Sequence, residues 1–330
     1  THSIVGGVMG AGIAAAGLTA VNWVTLGSIA ASWVISPVFG AGVSALLLYF
    51  LKVKVLNVDD KLAAARRWVP VMIGLMAAAF AGYMALKGLK KIWKPEVTEI
   101  VLFAALAFVI SYFASRPYIA RKTEGLRNER KQIYSLFNLP LILGVALLSF
   151  AHGANDVANA VGPLAAIVST IGDGAEIAAA VSIPMWVMMV GAFGIALGLG
   201  LFGPKLIAIV GQQITRLNSP RSYCVALSSA ITVLIATTLG LPVSSTHIAV
   251  GAVFGVGFLR EFMENPNRQH KRGVHKLNPT SEDAFAAVRK RSKRRLVRRR
   301  FVYSIAAAWV ITVPASAILA GLIYKTLQLL

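Results

Sequence analysis

An all-α, polytopic membrane fold with inverted internal repeats and discontinuous or hairpin helices at the midplane is what three features of the sequence predict. Apolar runs are too many and too long for a soluble core. A Gly-rich segment at the front of the chain recurs near its end. Polar residues sit at the centres of two apolar runs, where a membrane helix has no water to satisfy them. Of 330 residues, 57% are hydrophobic and 14% charged, with a mean hydropathy of +0.70. A soluble chain carries about 25% charged residues. The runs do not alternate as membrane-barrel strands must.

The membrane segments are expected, in order, at residues 4–18, 29–50, 68–86, 100–115, 139–171, 180–202, 225–239, 246–259 and 301–324. About 20 apolar residues cross a bilayer, so the first is a short piece. Residues 225–239 and 246–259 join through Gly240-Leu241-Pro242-Val243-Ser244-Ser245. Pro242 stops one helix there, and Ser244 or Ser245 caps the next.

Charge orients these segments. Lys52, Lys54, Lys61, Arg66 and Arg67 follow the 29–50 segment, and Arg116, Arg121, Lys122, Arg127, Arg130 and Lys131 follow 100–115. Lys205, Arg216 and Arg221 precede residue 225, and a loop over 260–300 holds 14 Lys/Arg against four acids. All four groups fall on one side if each long segment crosses once and the 225–259 pair goes in and returns. By the positive-inside rule that side is the cytoplasm. Lys87, Lys90, Lys91 and Lys94 dissent, partly offset by Glu96 and Glu99. The basic loop abuts a membrane helix and lacks interleaved aromatics for base stacking. It reads as a topology signal that attracts anionic lipid, with no nucleic acid as partner. Cys224 stands alone, so a disulfide within the chain is excluded and the residue reads as a small apolar one.

The polar stretch in 139–171 is His152-Gly153-Ala154-Asn155-Asp156-Val157-Ala158-Asn159-Ala160, and Asp156 is its one formal charge. A carboxylate at that depth costs several kcal/mol unless it meets partners, water or an ion. His152 and Asp156 lie four apart, as do Asn155 and Asn159, so the four share one helix face. Gly153 and Gly162-Pro163 are expected break points. Together they describe a cation site of amides, a carboxylate and freed carbonyls; the blander alternative is a polar kink that ties helices together. In the second stretch, helix amides and hydroxyls at Ser244, Ser245 and Thr246 converge as a cradle for a tetrahedral oxyanion. Structural capping is the alternative there. No Lys or Arg accompanies it, so a bound dianion needs cations to enter with it, which argues for symport.

The repeat pairs Thr1-His2-Ser3-Ile4-Val5-Gly6-Gly7-Val8-Met9-Gly10-Ala11-Gly12 with Thr246-His247-Ile248-Ala249-Val250-Gly251-Ala252-Val253-Phe254-Gly255-Val256-Gly257. Ala31-Ser32-Trp33-Val34-Ile35-Ser36 then recurs as Ala307-Ala308-Trp309-Val310-Ile311-Thr312. The charge topology sends the first copy outward and the second inward, so the copies are inverted, the arrangement that builds transport sites at the midplane.

These stretches resemble the PiT family of inorganic phosphate transporters. GANDVANA over 153–160 with Val161-Gly162-Pro163-Leu164-Ala165, GLPVSSTH over 240–247, the Gly191 to Gly198 stretch and Ser32-Trp33-Val34-Ile35-Ser36-Pro37 are similar to family motifs. The resemblance covers nearly the whole chain. It implies a secondary carrier, not an enzyme, in the cytoplasmic membrane, with phosphate on Ser244, Ser245, Thr246, Asn155, Asn159 and Thr1. The coupling cation would lie on Asp156, Asn155 and Asn159, with Asp156 and Asn155 as metal ligands if it is Na⁺. No cofactor is expected beyond co-transported Na⁺ or H⁺. Expected partners are phosphate, the cation, and membrane lipid with anionic lipid at 260–300; a homodimer is left open. Residues 1–51 read as the remainder of the first inverted repeat, 52–135 as connecting helices and cytoplasmic loops, and 136–330 as the second repeat. The first copy lacks a GANDVANA-like helix, so the chain reads as incomplete at its front and is not expected to transport phosphate alone.

Na⁺ is the preferred driver because amide, carboxylate and carbonyl oxygens suit a hard cation; a proton on Asp156 or His152 would serve as well. A sulfate or other oxyanion symporter is the alternative within the family. An intramembrane aspartyl protease needs two facing carboxylates sharing a proton, and the second acid, Asp173, lies at a segment end.

Overall fold

The structure, a computed structural model, describes residues 1–88, 95–172, 183–208, 217–241, 243–263 and 299–329. Ten helices are described: α1 His2–Ala16, α2 Trp23–Leu51, α3 Lys61–Tyr83, α4 Val97–Thr123, α5 Arg130–Tyr134, α6 Asn138–Gly172, α7 Met185–Ala208, α8 Ser219–Thr238, α9 Ser245–Met263 and α10 Arg300–Leu327. No strand occurs among the described residues. Eight helices are long and apolar enough to cross a membrane, and α1 is shorter. The protein is a multi-pass membrane protein. Lys90, Lys91, Lys94, Asp173, Pro242, the start of the expected 180–202 segment and most of the basic loop lie outside the described residues.

Every expected segment has its helix, but most overrun their apolar cores because polar caps set the ends. Asn22 accepts from Thr25 N at 3.0 Å, Asp60 from Ala63 N at 2.9 Å and Asn218 from Arg221 N at 3.3 Å. Each satisfies one of the orphan amides of a first turn. Glu96 N donates to Glu99 Oε2 at 2.8 Å at the start of α4.

Helix direction follows from the glycine contacts. Gly251 and Gly255 of α9 face Pro37 and Ala41 of α2, and Ser44 Oγ donates to Ala252 O at 2.7 Å, so α2 and α9 run parallel. Gly6 and Gly10 of α1 face Val313 and Ala317 of α10 in the same order. These are equivalent contacts. Gly6 and Gly10 occupy in the first Thr-His copy the places of Gly251 and Gly255 in the second, and Pro37 and Ala41 match Val313 and Ala317 in the Trp copies. A Cβ at any of the four glycines would overlap a backbone oxygen across the interface. Lipid offers no hydrophobic drive for helix pairing, so close backbone approach over small residues supplies it. Arg299, ahead of α10, lies 3.7 Å from Glu261 near the end of α9. Hence α10 leaves from the end at which α9 arrives, and α1, parallel to α10, runs opposite to α9. The repeats are inverted.

The described parts of the basic segments gather at that same end. Arg130 donates to Leu56 O at 3.1 Å and to Asn57 Oδ1 at 2.9 Å, Asn128 Nδ2 to Asp59 O at 2.7 Å, and Arg66 Nε to Thr123 Oγ1 at 2.6 Å. Ser219 Oγ donates to Asn138 Oδ1 at 2.8 Å, which brings the starts of α6 and α8 together. This is the grouping the charge pattern predicts. The buried core lies where α2, α3, α8 and α9 meet, around Leu48, Met72, Leu227, Val233 and Ile248, and Tyr223 Oη donates to Met72 O at 2.6 Å. α4, α7 and α10 turn Phe103, Phe113, Phe193, Leu201, Val310 and Ile318 outward. An apolar surface of that extent suits lipid, not water.

One expectation fails. α6 runs without a break through Gly153 and through Gly162-Pro163. Pro163 removes a single N–H and leaves the Asn159 carbonyl without its intrahelical donor, a loss that a membrane helix tolerates when neighbours or ions can meet the freed group. The discontinuity lies instead between α8 and α9.

Candidate functional site

Asp156 sits near the middle of α6, about 25 Å from either end at 1.5 Å per residue. α8 starts beside the start of α6, rises along it, and stops at Thr238; α9 then returns. The turn is closed by Gly240 at φ 69, with Leu241 N donating to Ala236 O at 3.0 Å and Gly240 N to Thr237 O at 3.1 Å. That left-handed conformation costs glycine little, which is why it ends helices so often. Ser244 Oγ accepts from His247 N at 3.4 Å as the cap of α9. The polar tip of the α8–α9 hairpin is thereby held against the polar middle of α6.

Two centres organise the contacts. Asp156 Oδ2 accepts from Ser245 Oγ at 3.0 Å and lies 3.2 Å from His152 Nε2, one turn earlier on α6. The Val243 carbonyl is approached by Thr1 Oγ1 at 3.3 Å and Asn159 Nδ2 at 3.5 Å. Asn155, 4% exposed, links the two centres. One terminal atom of its amide is 3.0 Å from both Asp156 Oδ1 and Val243 O; the other is 3.3 Å from Thr237 Oγ1. With nitrogen turned inward, Asn155 donates to both oxygens and accepts from Thr237. With oxygen turned inward, three oxygens converge, Asn159 Nδ2 donates to Asn155 Oδ1 at 3.1 Å and Asn155 Nδ2 donates to Thr237. The two orientations occupy the same space, so bonding decides between them.

In front of this cluster lies a cavity of about 470 Å³. Thr1, His152, Asp156 and Asn159 form its polar side; Ile4 and the α7 residues Ile195, Gly198, Leu199, Phe202 and Gly203 form its apolar wall. Asp156 therefore serves two spaces, the cavity and the buried oxygen cluster. His2 and His247, equivalent residues of the two copies, lie with ring centroids 4.9 Å apart, so the axis relating the copies passes between them. Among the described residues no three His, Cys, Asp or Glu side chains assemble as a metal site. The donors are amide, carboxylate and carbonyl oxygens, which suit a hard cation.

Of the residues expected from sequence, the structure brings together Thr1, Asn155, Asp156, Asn159 and Ser245. Asn155 and Ser245 are buried and stand behind the cavity lining. Ser244 is half-buried with its hydroxyl at the α9 cap, and Thr246 is exposed on the far side of the first turn, outside the lining. Thr237 and the Val243 carbonyl were not singled out. A carbonyl has no sequence signature, and Thr237 is one of several hydroxyls along α8.

The sequence matches the phosphate transporter family over residues 1–320. It is 40% identical to the "Putative phosphate permease" of Helicobacter pylori strain J99, covering 99% of this chain and 70% of that one. Identity to the chloroplastic inorganic phosphate transporter 2-1 of Arabidopsis thaliana is 33%, over 97% of this chain and 53% of that one. A solved structure described as the sodium-dependent phosphate transporter superposes with a TM-score of 0.79 at 32% identity, covering all of this chain and 73% of that one. With its inverted repeats, its midplane Asp156 cluster and these matches along almost its full length, the chain belongs to the phosphate transporter family.

Proposed function

We propose that the protein is a symporter that couples inward movement of inorganic phosphate across the cytoplasmic membrane to a cation, with Na⁺ the preferred driver. The observation that carries this reading is the divided carboxylate of Asp156. Its Oδ1 faces the buried amide of Asn155 and, through it, the Val243 carbonyl. Its Oδ2 meets His152, which lines the cavity with Asp156, and the buried hydroxyl of Ser245 behind that lining. A cation held by Asp156 Oδ1, Asn155 Oδ1 and Val243 O would neutralise the carboxylate that borders the cavity. A phosphate dianion would then meet Thr1 and Asn159 without facing an uncompensated negative charge. Like charges side by side in a low dielectric repel by several kcal/mol, so cation and oxyanion support each other's binding. The name of the solved relative points to sodium. A proton on the His152–Asp156 pair is the second reading, favoured by their 3.2 Å contact.

Uptake of labelled phosphate by the full-length protein in proteoliposomes with an imposed Na⁺ or H⁺ gradient separates the drivers, and excess sulfate tests the oxyanion. Accumulation driven by Na⁺ and little affected by sulfate is expected. Accumulation that follows only the proton gradient would move the coupling to the His152–Asp156 pair.

Ser245→Ala gives a finer prediction. Its hydroxyl donates to Oδ2 of Asp156, a cavity-lining residue, and one hydrogen bond is worth about 1 kcal/mol, or roughly fivefold. The double variant Ser244→Ala, Ser245→Ala is expected to weaken phosphate binding by about that factor or more, and cation binding less, because Oδ1 is untouched. Unchanged phosphate affinity at equilibrium would place the oxyanion elsewhere.

A further inference from the structure

Thr237 has no part in the oxyanion cavity, yet its hydroxyl is aimed at the residue on which the cation reading depends. Thr232 and Thr238 on the same helix donate to carbonyls four residues back, Ser228 O and Leu234 O, at 2.8 Å each. Thr237 Oγ1 instead lies 3.3 Å from the buried amide of Asn155. Its own backbone carbonyl is fixed by Gly240 N at 3.1 Å, so the hydroxyl stands on the turn that also carries Val243. We propose that Thr237 is a positioning residue that lets the Asn155 amide reverse, so that this amide reports cation occupancy to the oxyanion side of the site.

The chemistry follows from the two faces of an amide. Without a positive charge between them, Asp156 Oδ1 and Val243 O attract the Asn155 nitrogen, and Asn155 oxygen must accept from a donor. With a cation between them, Asn155 turns its oxygen inward and its nitrogen must find an acceptor. Both demands fall at the same point, 3.3 Å from Thr237 Oγ1. A hydroxyl is donor and acceptor at once, so it serves either state; a carbonyl or an amide N–H could serve only one. Asn159 is moved by the same reversal. With the Asn155 oxygen inward, Asn159 Nδ2 has an acceptor at 3.1 Å; with the nitrogen inward, it faces a donor and retains only the longer contact to Val243 O. Asn159 lines the cavity, so cation occupancy changes the amide that the oxyanion meets.

The inference rests on the cation reading above. Thr237→Val keeps the shape and removes the hydroxyl. An orphaned buried N–H is less well tolerated than an under-used carbonyl oxygen, so the variant penalises the oxygen-inward, cation-holding state more. Sodium half-saturation for phosphate uptake is expected to rise roughly tenfold, with phosphate half-saturation at saturating sodium nearly unchanged, and Thr237→Ser is expected to restore wild-type values. If Thr237→Val accumulates poorly, Thr237→Cys, a weak hydrogen-bond partner, must shift sodium half-saturation in the same direction. Wild-type sodium dependence in either variant, or equal loss in sodium and phosphate terms that Ser does not rescue, overturns the proposal. Absence of sodium dependence in the wild type overturns the cation reading itself, so the two failures are distinguishable.

Discussion

Asp156→Asn is expected to abolish concentrative phosphate uptake while leaving the protein inserted and monodisperse in detergent. The substitution keeps the size of the side chain and the contacts to Ser245 and His152 within reach, so packing has little reason to change. What it removes is the one formal charge in the middle of α6. A charge about 4 Å from a cation at an effective dielectric of about 20 is worth roughly 4 kcal/mol, which is about a thousandfold in affinity. The variant also relieves the cost of a midplane carboxylate, so thermal stability is expected to hold or rise. Initial rates in proteoliposomes, read beside a melting curve, check both halves. Wild-type uptake with unchanged cation dependence would remove Asp156 from the cation site.

Bulk at the crossed repeat contacts is expected to have an effect of similar size on folding. At Gly10 and Gly255 a Cβ would overlap the carbonyl oxygens of Ala317 and Ala41. Neither neighbour is a flexible side chain, so relief requires the helices to part. Overpacking of this kind costs about 1–3 kcal/mol per site even when the structure can adjust. Gly255→Leu and Gly10→Leu are expected to leave little monodisperse protein, and Gly255→Ala to lower the melting temperature. Gly194 and Gly200 on α7, where a Cβ would meet nothing within 4 Å, are the controls; alanine there is expected to be neutral. Equal tolerance at all four positions would mean that α1–α10 and α2–α9 do not pack as described.

Much of this was legible in the sequence because membrane physics is severe. A lone Asp156 between two Asn residues in an apolar run has few blameless explanations, and the Thr-His-x-x-Val-Gly repeat fixed which glycines would be equivalent before their partners were known. Charge segregation placed four loops at one end, and hydrogen bonds such as Arg130 to Leu56 and Ser219 to Asn138 bring described helix ends that flank them together there. Three things were not legible. α6 passes through Pro163 because loss of one hydrogen bond does not break a long helix, and sequence cannot weigh neighbours that take up the slack. Which hydroxyl of Ser244-Ser245-Thr246 faces Asp156 depends on the residue at which α9 begins; a start at Ser245 buries Ser245 and exposes Thr246. The acceptor shared by Thr1, Asn155 and Asn159 is the main chain of Val243, whose side chain reads as ordinary core.

Equilibrium binding of radioactive sodium to the purified protein without phosphate tests most directly whether the Asp156 cluster holds the coupling cation. Saturable binding is expected in the wild type, about a thousandfold weaker in Asp156→Asn, with labelled phosphate bound tightly only when sodium is present. Saturable sodium binding that Asp156→Asn leaves intact, or tight phosphate binding without any sodium, would contradict it.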